Sequence, residues 1–419
     1  MTEVGTTWKG PSIRVLVFSW HVPPGGLLRT VSKELMLLPE FGVNPRFVYC
    51  VRSAPAYHDG LLMGREARQI GNRLIRYFTL SRFTPRGELL ERVVRSGWDV
   101  PLLSAISISR EIRNSAASVI LCHELASAVL ARTACAERGL PFIVILHDNP
   151  FDFLGSGARG IRPKFPHRIV SSVAHQVLAD AAFVVCTTGR IAKALRDNGV
   201  TRELEVIPFG SDVAAVNNPI DQRDIVLSVS KWDRKRRPEA YVHVASLLPK
   251  GAKLVLIGHW DDPTHLEQVR AAARNSQGGS VEIIDDVSEE ALAYHYGRAK
   301  VFLRMAFDEV GTGQAVLEAA GFGCPVVIDP SLGASELLLD STHGFHVESN
   351  DLNSVAAHVR MILENDDLAS RLSQSSYALA KSLSWQGFAG ELARVIRAAV
   401  TSNGALASLE PAARVSQLD

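Results

Sequence analysis

Short apolar runs alternate with amphipathic stretches along almost the whole chain. Apolar runs bounded by turn residues are typical of strands in a parallel sheet, and the amphipathic stretches between them are typical of covering helices. In the N-terminal half this pattern predicts strands at Ile13–Ser19, Arg46–Val51, Val119–Cys122, Phe142–Leu146, Phe183–Cys186 and Leu204–Ile207. In the C-terminal half it predicts strands at Ile225–Ser230, Lys253–Ile257, Val281–Ile284, Val301–Leu303 and Pro325–Ile328. Helical patterns such as Ala126–Arg138 and Ile191–Asn198 lie between them. The pattern predicts an α/β protein with two doubly wound domains.

A polar stretch marked by Asn and Pro, residues 210–223, separates the two series of strands. Stretches of this kind are typical of linkers between domains. We therefore expect an N-terminal domain at residues 1–211 and a C-terminal domain from residue 212 to about 382. The residues after position 400 are mostly small or polar, so residues 401–419 are expected to be disordered.

Composition and charge narrow the class of protein. The 419 residues carry 45 Lys and Arg against 44 Asp and Glu, which gives a formal net charge of +1. Nucleic-acid-binding domains usually carry a clear basic excess, so no nucleic-acid partner is expected. No apolar run approaches the roughly 20 residues that span a bilayer, and Met1–Pro11 does not have the pattern of a signal peptide. The five cysteines are odd in number and lack CxxC spacing, so we expect them to be reduced thiols. We expect a soluble, cytoplasmic protein.

An arginine-rich stretch between Met63 and Val100 interrupts the alternation. It contains eight arginines, among them Arg73, Arg76 and Arg82, against three glutamates, with apolar and aromatic residues interleaved. One interpretation is an amphipathic helix pair whose arginines form a solvated face. The other is a surface for anionic lipid headgroups or for a phosphorylated acceptor, with peripheral contact to the inner membrane face. The sequence leaves both open.

Polar residues follow several predicted strands of the N-terminal half. Gly25 and Gly26 come after the first strand, where glycine lets the backbone approach a phosphate at a helix start. The pairs His123-Glu124 and His147-Asp148 end two later strands, at the edge where open parallel sheets expose functional groups. A histidine in this position can also be an ordinary capping residue. The GxGxxG fingerprint of dinucleotide-binding enzymes is absent from the first turn.

Two motifs of the C-terminal half suggest a site for a nucleotide diphosphate. The first strand ends in a basic turn, SKWDRKRRP, which contains Lys231, Lys235 and Arg236, and ammonium and guanidinium groups neutralise diphosphate charge. A solvated basic turn is the alternative. The second motif is the segment 307–327, an acidic loop followed by a GTG turn, a short helix and a proline-opened strand. Backbone N–H groups of Gly311, Thr312 and Gly313 would cap a phosphate there, and Glu318 on the helix would bind ribose hydroxyls.

The ordered motifs IPFGSD, the basic turn, LVLIG, VSEEALAYHY and GTGQAVLEAAGFGCPVV resemble the retaining glycosyltransferases of the GT-B fold, most closely family 4 (glycosyl transferases group 1). The resemblance covers about residues 13–400. It implies two Rossmann-like domains that face a cleft, with the acceptor on the side of residues 1–211 and the nucleotide-sugar donor bound mainly by residues 212–382. It also implies that the segment 383–400, which begins within the SLSW motif at Ser382–Trp385, is a crossover helix packing on the N-terminal domain.

The resemblance assigns roles to individual residues. Gly26 matches a glycine near the donor phosphate, and His147 matches the active-site histidine near the donor sugar. Lys231 takes the place of the usual arginine of the diphosphate clamp, while the usual lysine falls at Lys235 or Arg236, depending on the register of the turn. Glu318 matches the second glutamate of the EX7E pattern, the ribose ligand.

The first glutamate of that pattern is displaced. Counting back eight residues from Glu318 gives Val310, and Glu309 lies one position earlier, so the spacing is EX8E. Either the loop carries one extra residue and Glu309 still contacts the donor sugar as a catalytic residue, or that contact is lost.

The resemblance implies transfer of a hexose-type sugar from a nucleotide-sugar to a glycan, lipid-linked or small-molecule hydroxyl. No DxD sequence occurs, as in the metal-independent enzymes of this fold, so neither a metal nor a cofactor is expected. Two alternatives are a non-catalytic binding or accessory protein on the same scaffold and a nucleotide-sugar 2-epimerase.

Overall fold

We describe the protein from a computed structural model. The described residues are 12–22, 26–52, 67–69, 101–151, 167–214, 218–260, 262–307 and 313–413. Among them, no helix is both long enough and apolar enough to cross a membrane.

The described residues divide into two compact units. The first comprises the chain up to Thr187 together with Ile191–Ile207 and the chain from Ala389 onwards, and the second comprises Thr188–Arg190 and Pro208–Phe388. The sequence pattern predicts an N-terminal domain at residues 1–211 and a C-terminal domain at residues 212–382.

Within the described residues, the first unit contains a seven-stranded parallel sheet with the order β3-β2-β1-β4-β5-β6-β7. Its strands are β1 (Ile13–Val22), β2 (Val43–Arg52), β3 (Ala67–Gln69), β4 (Val119–His123), β5 (Phe142–Leu146), β6 (Phe183–Cys186) and β7 (Leu204–Val206). The helices that accompany them are α1 (Gly26–Leu37), α2 (Pro101–Asn114), α3 (Glu124–Arg138), α4 (His167–Asp180) and α5 (Gly189–Asp197). The central strands β4 and β5 are buried along their whole length, which explains why both read as continuous apolar runs.

The second unit repeats this design with a six-stranded parallel sheet, as far as the described residues show, in the order β10-β9-β8-β11-β12-β13. Its strands are β8 (Ile225–Val229), β9 (Lys253–Ile257), β10 (Ser280–Ile284), β11 (Ala299–Arg304), β12 (Val326–Ile328) and β13 (Gly344–His346). The helices that follow are α6 (Pro238–Leu247), α7 (Pro263–Arg274), α8 (Glu289–Arg298), α9 (Gln314–Gly321), α10 (Leu352–Glu364), α11 (Asp366–Ser382) and α12 (Trp385–Ala413).

In both sheets the strand order reverses beside the first strand. The first strand of the unit pairs with the second strand on one side and with the fourth on the other, so the connections diverge at this point. Ligands of open α/β sheets bind outside the carboxyl ends of the strands at such a switch point. The fold therefore directs attention to the ends of β1, β4 and β5 in the first unit and of β8 and β11 in the second.

The last helix begins in the second unit and continues into the first. At its start, Trp385 and Phe388 pack against Phe209, with ring centroids 6.0 and 5.7 Å from that ring. Further along, the Arg397 guanidinium donates to the carbonyl oxygen of Phe41 at 3.0 Å, and Arg394 pairs with Glu205 at 2.8 Å.

The tail was predicted incorrectly in part. Helix α12 extends to Ala413, so residues 401–413, which the sequence analysis treats as disordered, are helical. Alanine and leucine supply six of the 13 residues of this stretch, and because both favour helix, they help to extend a helix that the packed first turns have already nucleated.

All five cysteines lie in the described part of the chain, buried and free of disulfides.

Candidate functional site

The structure describes about half of the predicted site residues. Those within the described ranges are Gly26, His147, Lys231, Lys235, Arg236, Gly313 and Glu318. Those outside them are Gly25, Arg73, Arg76, Arg82, Glu309, Gly311 and Thr312.

In the first unit, the ends of the central strands bring two histidines together. His123 is the last residue of β4 and His147 directly follows β5, its neighbour in the sheet. His123 Nδ1 lies 2.9 Å from His147 Nε2, and the rings are nearly parallel, with centroids 5.2 Å apart. The two strand ends that the sequence singles out are therefore joined by a direct contact between their histidine side chains.

A carboxylate extends this contact into the interior. Glu34, on the buried face of α1, places Oε2 3.0 Å from His123 Nε2. Both side chains are completely buried, with 0% exposure. Glu34, His123 and His147 therefore form a continuous hydrogen-bonded chain, which we call the Glu–His–His chain.

Burial shifts the pKa values of two groups, His147 after β5 and Glu124 after β4. It lowers the pKa of His147 well below its ordinary value, and the charge of His123 lowers it further. Burial also raises the pKa of Glu124, and the nearby Asp148 carboxylate raises it again. The backbone N–H of His147 donates to Glu124 Oε1 at 3.2 Å. Glu124 is itself held at a φ of 67°, a left-handed conformation that costs a non-glycine residue on the order of 1–2 kcal/mol.

In the second unit, the basic turn after β8 has a defined conformation. Asp233 caps a single 3-10 turn, since its Oδ1 accepts from the backbone N–H groups of Lys235 and Arg236, both at 3.0 Å. Arg237 follows in the left-handed region at a φ of 44°, and Pro238 then begins α6. This geometry fixes which basic side chains point toward the strand end.

Two guanidinium groups converge on the hydroxyl of Ser230, the residue that follows β8. Arg236 Nη1 donates to Ser230 Oγ at 3.0 Å, and Arg304 Nη1, from the end of β11, donates to the same oxygen at 2.9 Å. Arg304 is only 4% exposed. Lys235 is exposed, whereas the Arg236 guanidinium contacts Ser230 at the strand end, so of the two candidates for the clamp cation Arg236 is the better placed. Lys231, immediately after Ser230, is half-buried.

Glycine is required beside this cluster. Gly258 follows β9 at a φ of 134°, and a Cβ at this position would lie 1.9 Å from the carbonyl oxygen of Ser230. The close approach of the two strand ends therefore depends on the missing side chain.

Helix α9 carries the predicted ribose ligand. Gly313 precedes the helix at a φ of 70° and its carbonyl accepts from Val316, which closes the first turn. The hydroxyl of Tyr296, a buried residue of α8, donates to Glu318 Oε2 at 3.0 Å. The amide oxygen and nitrogen of Gln314, at the first position of the helix, are buried and have no hydrogen-bond partner among the described residues.

Sequence reasoning missed three residues of these clusters. Arg304 terminates the apolar strand VFLR, and Glu34 interrupts the apolar face of α1, so each is an ionisable residue at a position that the pattern assigns to the core. That mismatch is the signal that could have identified them. Tyr296 shows no such mismatch with the pattern, because a tyrosine on the buried face of a helix is common.

The amino-acid sequence matches two family models of glycosyltransferases. Residues 212–379 match the model of the family glycosyl transferases group 1, and residues 57–215 match that of glycosyltransferase family 4. The chain is 26% identical over 166 residues to an O-antigen chain mannosyltransferase B of Escherichia coli, and the match covers 38% of this chain and 42% of that protein. This chain spans less than half the length of the curated relatives that it matches.

Solved structures resemble the chain over nearly its whole length. A sucrose-phosphate synthase from Thermosynechococcus elongatus has a TM-score of 0.72 at 17% identity, with 92% of this chain and 98% of that chain covered. HepE of Anabaena, solved in complex with UDP and glucose, has a TM-score of 0.66 at 15% identity, with 95% and 100% covered. At these identities the likeness establishes the fold, two Rossmann-like domains of the GT-B type, as the sequence resemblance had implied. Since the two family models also match in chain order across residues 57–379, the chain belongs to the group 1 glycosyl transferases.

Proposed function

We propose that the protein is a retaining, metal-independent glycosyltransferase. It would move a hexose-type sugar from a nucleotide-sugar donor to a hydroxyl of a glycan, lipid-linked or small-molecule acceptor. Family membership supports sugar transfer, and the retention of configuration rests on the resemblance of the sequence motifs to retaining enzymes.

The observation that carries the proposal is the convergence of Arg236 and Arg304 on Ser230. In this reaction the leaving group is a nucleoside diphosphate, and negative charge grows on its phosphate oxygens as the bond to the sugar breaks. Guanidinium groups fixed at a strand end stabilise such charge without reorganising. Both arginines are held in place by the hydroxyl before any ligand arrives, and Lys231 adds a further cation next to them.

The relatives suggest the class of donor. HepE was solved with UDP and glucose, and the Escherichia coli relative is described as a mannosyltransferase. Both descriptions involve a hexose, in keeping with a hexose-type donor here. In our proposal the departing phosphate oxygen takes the proton from the acceptor hydroxyl as the new glycosidic bond forms on the same face of the sugar.

The other predicted residues take supporting roles in this proposal. Glu318 binds the ribose hydroxyls, in an orientation that its hydrogen bond from Tyr296 helps to set. His147 donates to an oxygen of the reacting sugar or of the departing phosphate. Glu309, outside the described residues, stays a prediction for the contact to the donor sugar.

Replacing Glu318 with alanine tests the nucleotide part of the proposal. The carboxylate accepts hydrogen bonds from ribose, which is present in both the donor and the free nucleoside diphosphate. Because hydrogen bonds to charged groups contribute about 1.5–3 kcal/mol, we expect the affinity for both ligands to fall by about tenfold or more. Isothermal titration of the wild type and the variant measures this directly.

Glu364→Ala in the same unit is the control, since Glu364 is an exposed residue at the end of α10 and its loss should leave nucleotide affinity unchanged. Full retention of free nucleoside diphosphate affinity in Glu318→Ala would contradict the ribose assignment.

A further inference from the structure

The Glu–His–His chain ends in the interior on a carboxylate with unusual surroundings. Glu34 has 0% exposure, and its Oε1 has no hydrogen-bond partner among the described residues. Its Oε2 contacts His123 Nε2 at 3.0 Å. Burying a carboxylate away from water is costly unless it is paired and hydrogen-bonded. Glu34 therefore depends on His123 for its stabilisation.

Charge balance within this buried pair is taken as the premise for placing its protons. A carboxylate held away from water is stabilised most strongly by a cationic partner, so we take Glu34 as the carboxylate and His123 as the imidazolium. An imidazolium carries a hydrogen on both ring nitrogens. His123 then donates from Nε2 to Glu34 and from Nδ1 to His147 Nε2, which is 2.9 Å away. His147 accepts at Nε2, and its own proton must lie on Nδ1.

We propose that Glu34 and His123 are positioning residues that hold His147 as the neutral tautomer protonated on Nδ1. His147 then presents an N–H donor on the ring nitrogen that His123 does not contact, and this donor serves an oxygen of the reacting sugar or of the departing phosphate. The catalytic use of that donor rests on the proposed function. The tautomer itself follows from the contacts of His123 with His147 and Glu34, within the first unit.

Other groups around His147 are consistent with a neutral ring. The His123 charge and burial both lower the pKa of His147. Among the described residues, Glu124, at the start of α3, and Asp148, the next residue in the chain, are further titratable groups near it. Glu124 accepts from the backbone N–H of His147, so it fixes the main chain while His123 fixes the ring.

The tautomer is measurable without substrate. Long-range ¹⁵N–¹H correlation spectra of the ¹⁵N-labelled protein distinguish the two neutral tautomers and the imidazolium, and the spectrum of His147→Gln identifies the His147 signals by their loss. We expect the pattern of a neutral ring protonated on Nδ1 at pH 7. A ring protonated on Nε2, or on both nitrogens, would overturn the proposal.

Glu34→Gln tests the origin of the tautomer. The amide is similar in shape but carries no charge, so His123 loses its counter-ion and becomes neutral. We expect the signals of His147 to shift to a mixture of tautomers, and its pKa to rise toward the ordinary value as the neighbouring cation disappears. His123→Gln interrupts the chain at its middle and provides a second test should Glu34→Gln fold poorly. An unchanged His147 pattern in a folded variant of either kind would overturn the proposal.

Kinetics then separate positioning from general stability. Glu34→Gln should lower kcat on the order of tenfold, by analogy with the carboxylates that orient metal-ligating histidines, with the affinity for free nucleoside diphosphate unchanged. The matched control is Glu111→Gln, because Glu111 is a second buried carboxylate of the first unit and is paired with Arg46 at 3.0 Å. This control should keep the wild-type kcat and the wild-type His147 spectrum.

A kcat for Glu34→Gln equal to that of the wild type would overturn the positioning role. If the wild type transfers no sugar but shows the expected tautomer, the failure lies with the proposed function and the Glu–His–His chain stands.

Discussion

Replacing Arg236 with alanine should weaken the binding of the nucleoside diphosphate by roughly 10- to 150-fold. This range corresponds to the about 1.5–3 kcal/mol of a hydrogen bond to a charged group. The effect is expected to be large because Arg236 is preorganised: the Asp233 cap fixes its backbone, and Ser230 fixes its guanidinium. Truncation removes both a charge and the donor that the fold has already oriented. Isothermal titration with UDP, GDP, ADP and TDP measures the loss.

Two variants in the same turn test the specificity of this effect. Arg234 is exposed and paired with Asp262 at 3.1 Å, so Arg234→Ala serves as a control for the loss of one positive charge from the turn and should leave affinity within about twofold. Lys235→Ala distinguishes the two registers that the sequence leaves open. A loss of affinity in Lys235→Ala, together with wild-type affinity in Arg236→Ala, would transfer the clamp role to Lys235 and contradict our assignment.

Replacing His147 with alanine should lower turnover by on the order of 100-fold while leaving the affinity for free nucleoside diphosphate unchanged. A preorganised donor that acts on charge developing in the transition state is typically worth 10²–10³ in kcat. The side chains that we propose for the nucleotide, Lys231, Arg236 and Glu318, lie in the second unit, whereas His147 lies in the first. The His147 donor acts on charge that develops only as the bond to the sugar breaks, so ground-state nucleotide binding should not change. Steady-state rates of transfer, combined with titration of the nucleoside diphosphate, separate the two effects.

The control for this variant is His175→Gln. His175 belongs to the same unit, but its ring nitrogens contact the carbonyl oxygens of Ser171 and Asn198, so its loss should not affect turnover. Because the pKa of His147 lies well below the ordinary 6.5, its ring stays neutral at pH 7. The turnover of the wild type should therefore not fall on account of His147 as the pH is lowered to 6.5. Wild-type turnover in His147→Ala would remove His147 from the mechanism.

The sequence predicted the central strands well and missed two strands at the edges. Each predicted strand of both sheets overlaps an observed one, because buried parallel strands leave a strong apolar signal. The missed strands, β3 (Ala67–Gln69) and β13 (Gly344–His346), are three residues long and lie at sheet edges. Runs this short do not produce a recognisable period. The equally short β7 and β12 are predicted because their sequences, LEV and VVI, are mostly apolar, whereas β3 and β13 read ARQ and GFH.

The candidate site was predictable in part, for reasons of local geometry. Charge alone located the basic turn, but the choice between Lys235 and Arg236 depends on the Asp233 cap and the left-handed Arg237, which composition does not reveal. Arg304 joins the cluster only through the pairing of β11 with β8, a long-range contact. The Glu–His–His chain likewise forms only because α1, β4 and the end of β5 lie side by side in the folded unit.

The most direct test of the account is a donor assay with the anomer of the product as its readout. The wild-type protein is incubated with UDP-, GDP-, ADP- and TDP-hexoses, the release of nucleoside diphosphate is followed, and early ¹H NMR spectra identify the anomer of the released sugar. We predict that at least one α-linked donor is cleaved, that the α anomer appears first, and that Arg236→Ala and His147→Ala both suppress the reaction. Release of the β anomer first would contradict retention. Folded protein that neither binds nor cleaves any donor would contradict the proposed glycosyltransferase activity and favour a binding or accessory role on the same scaffold.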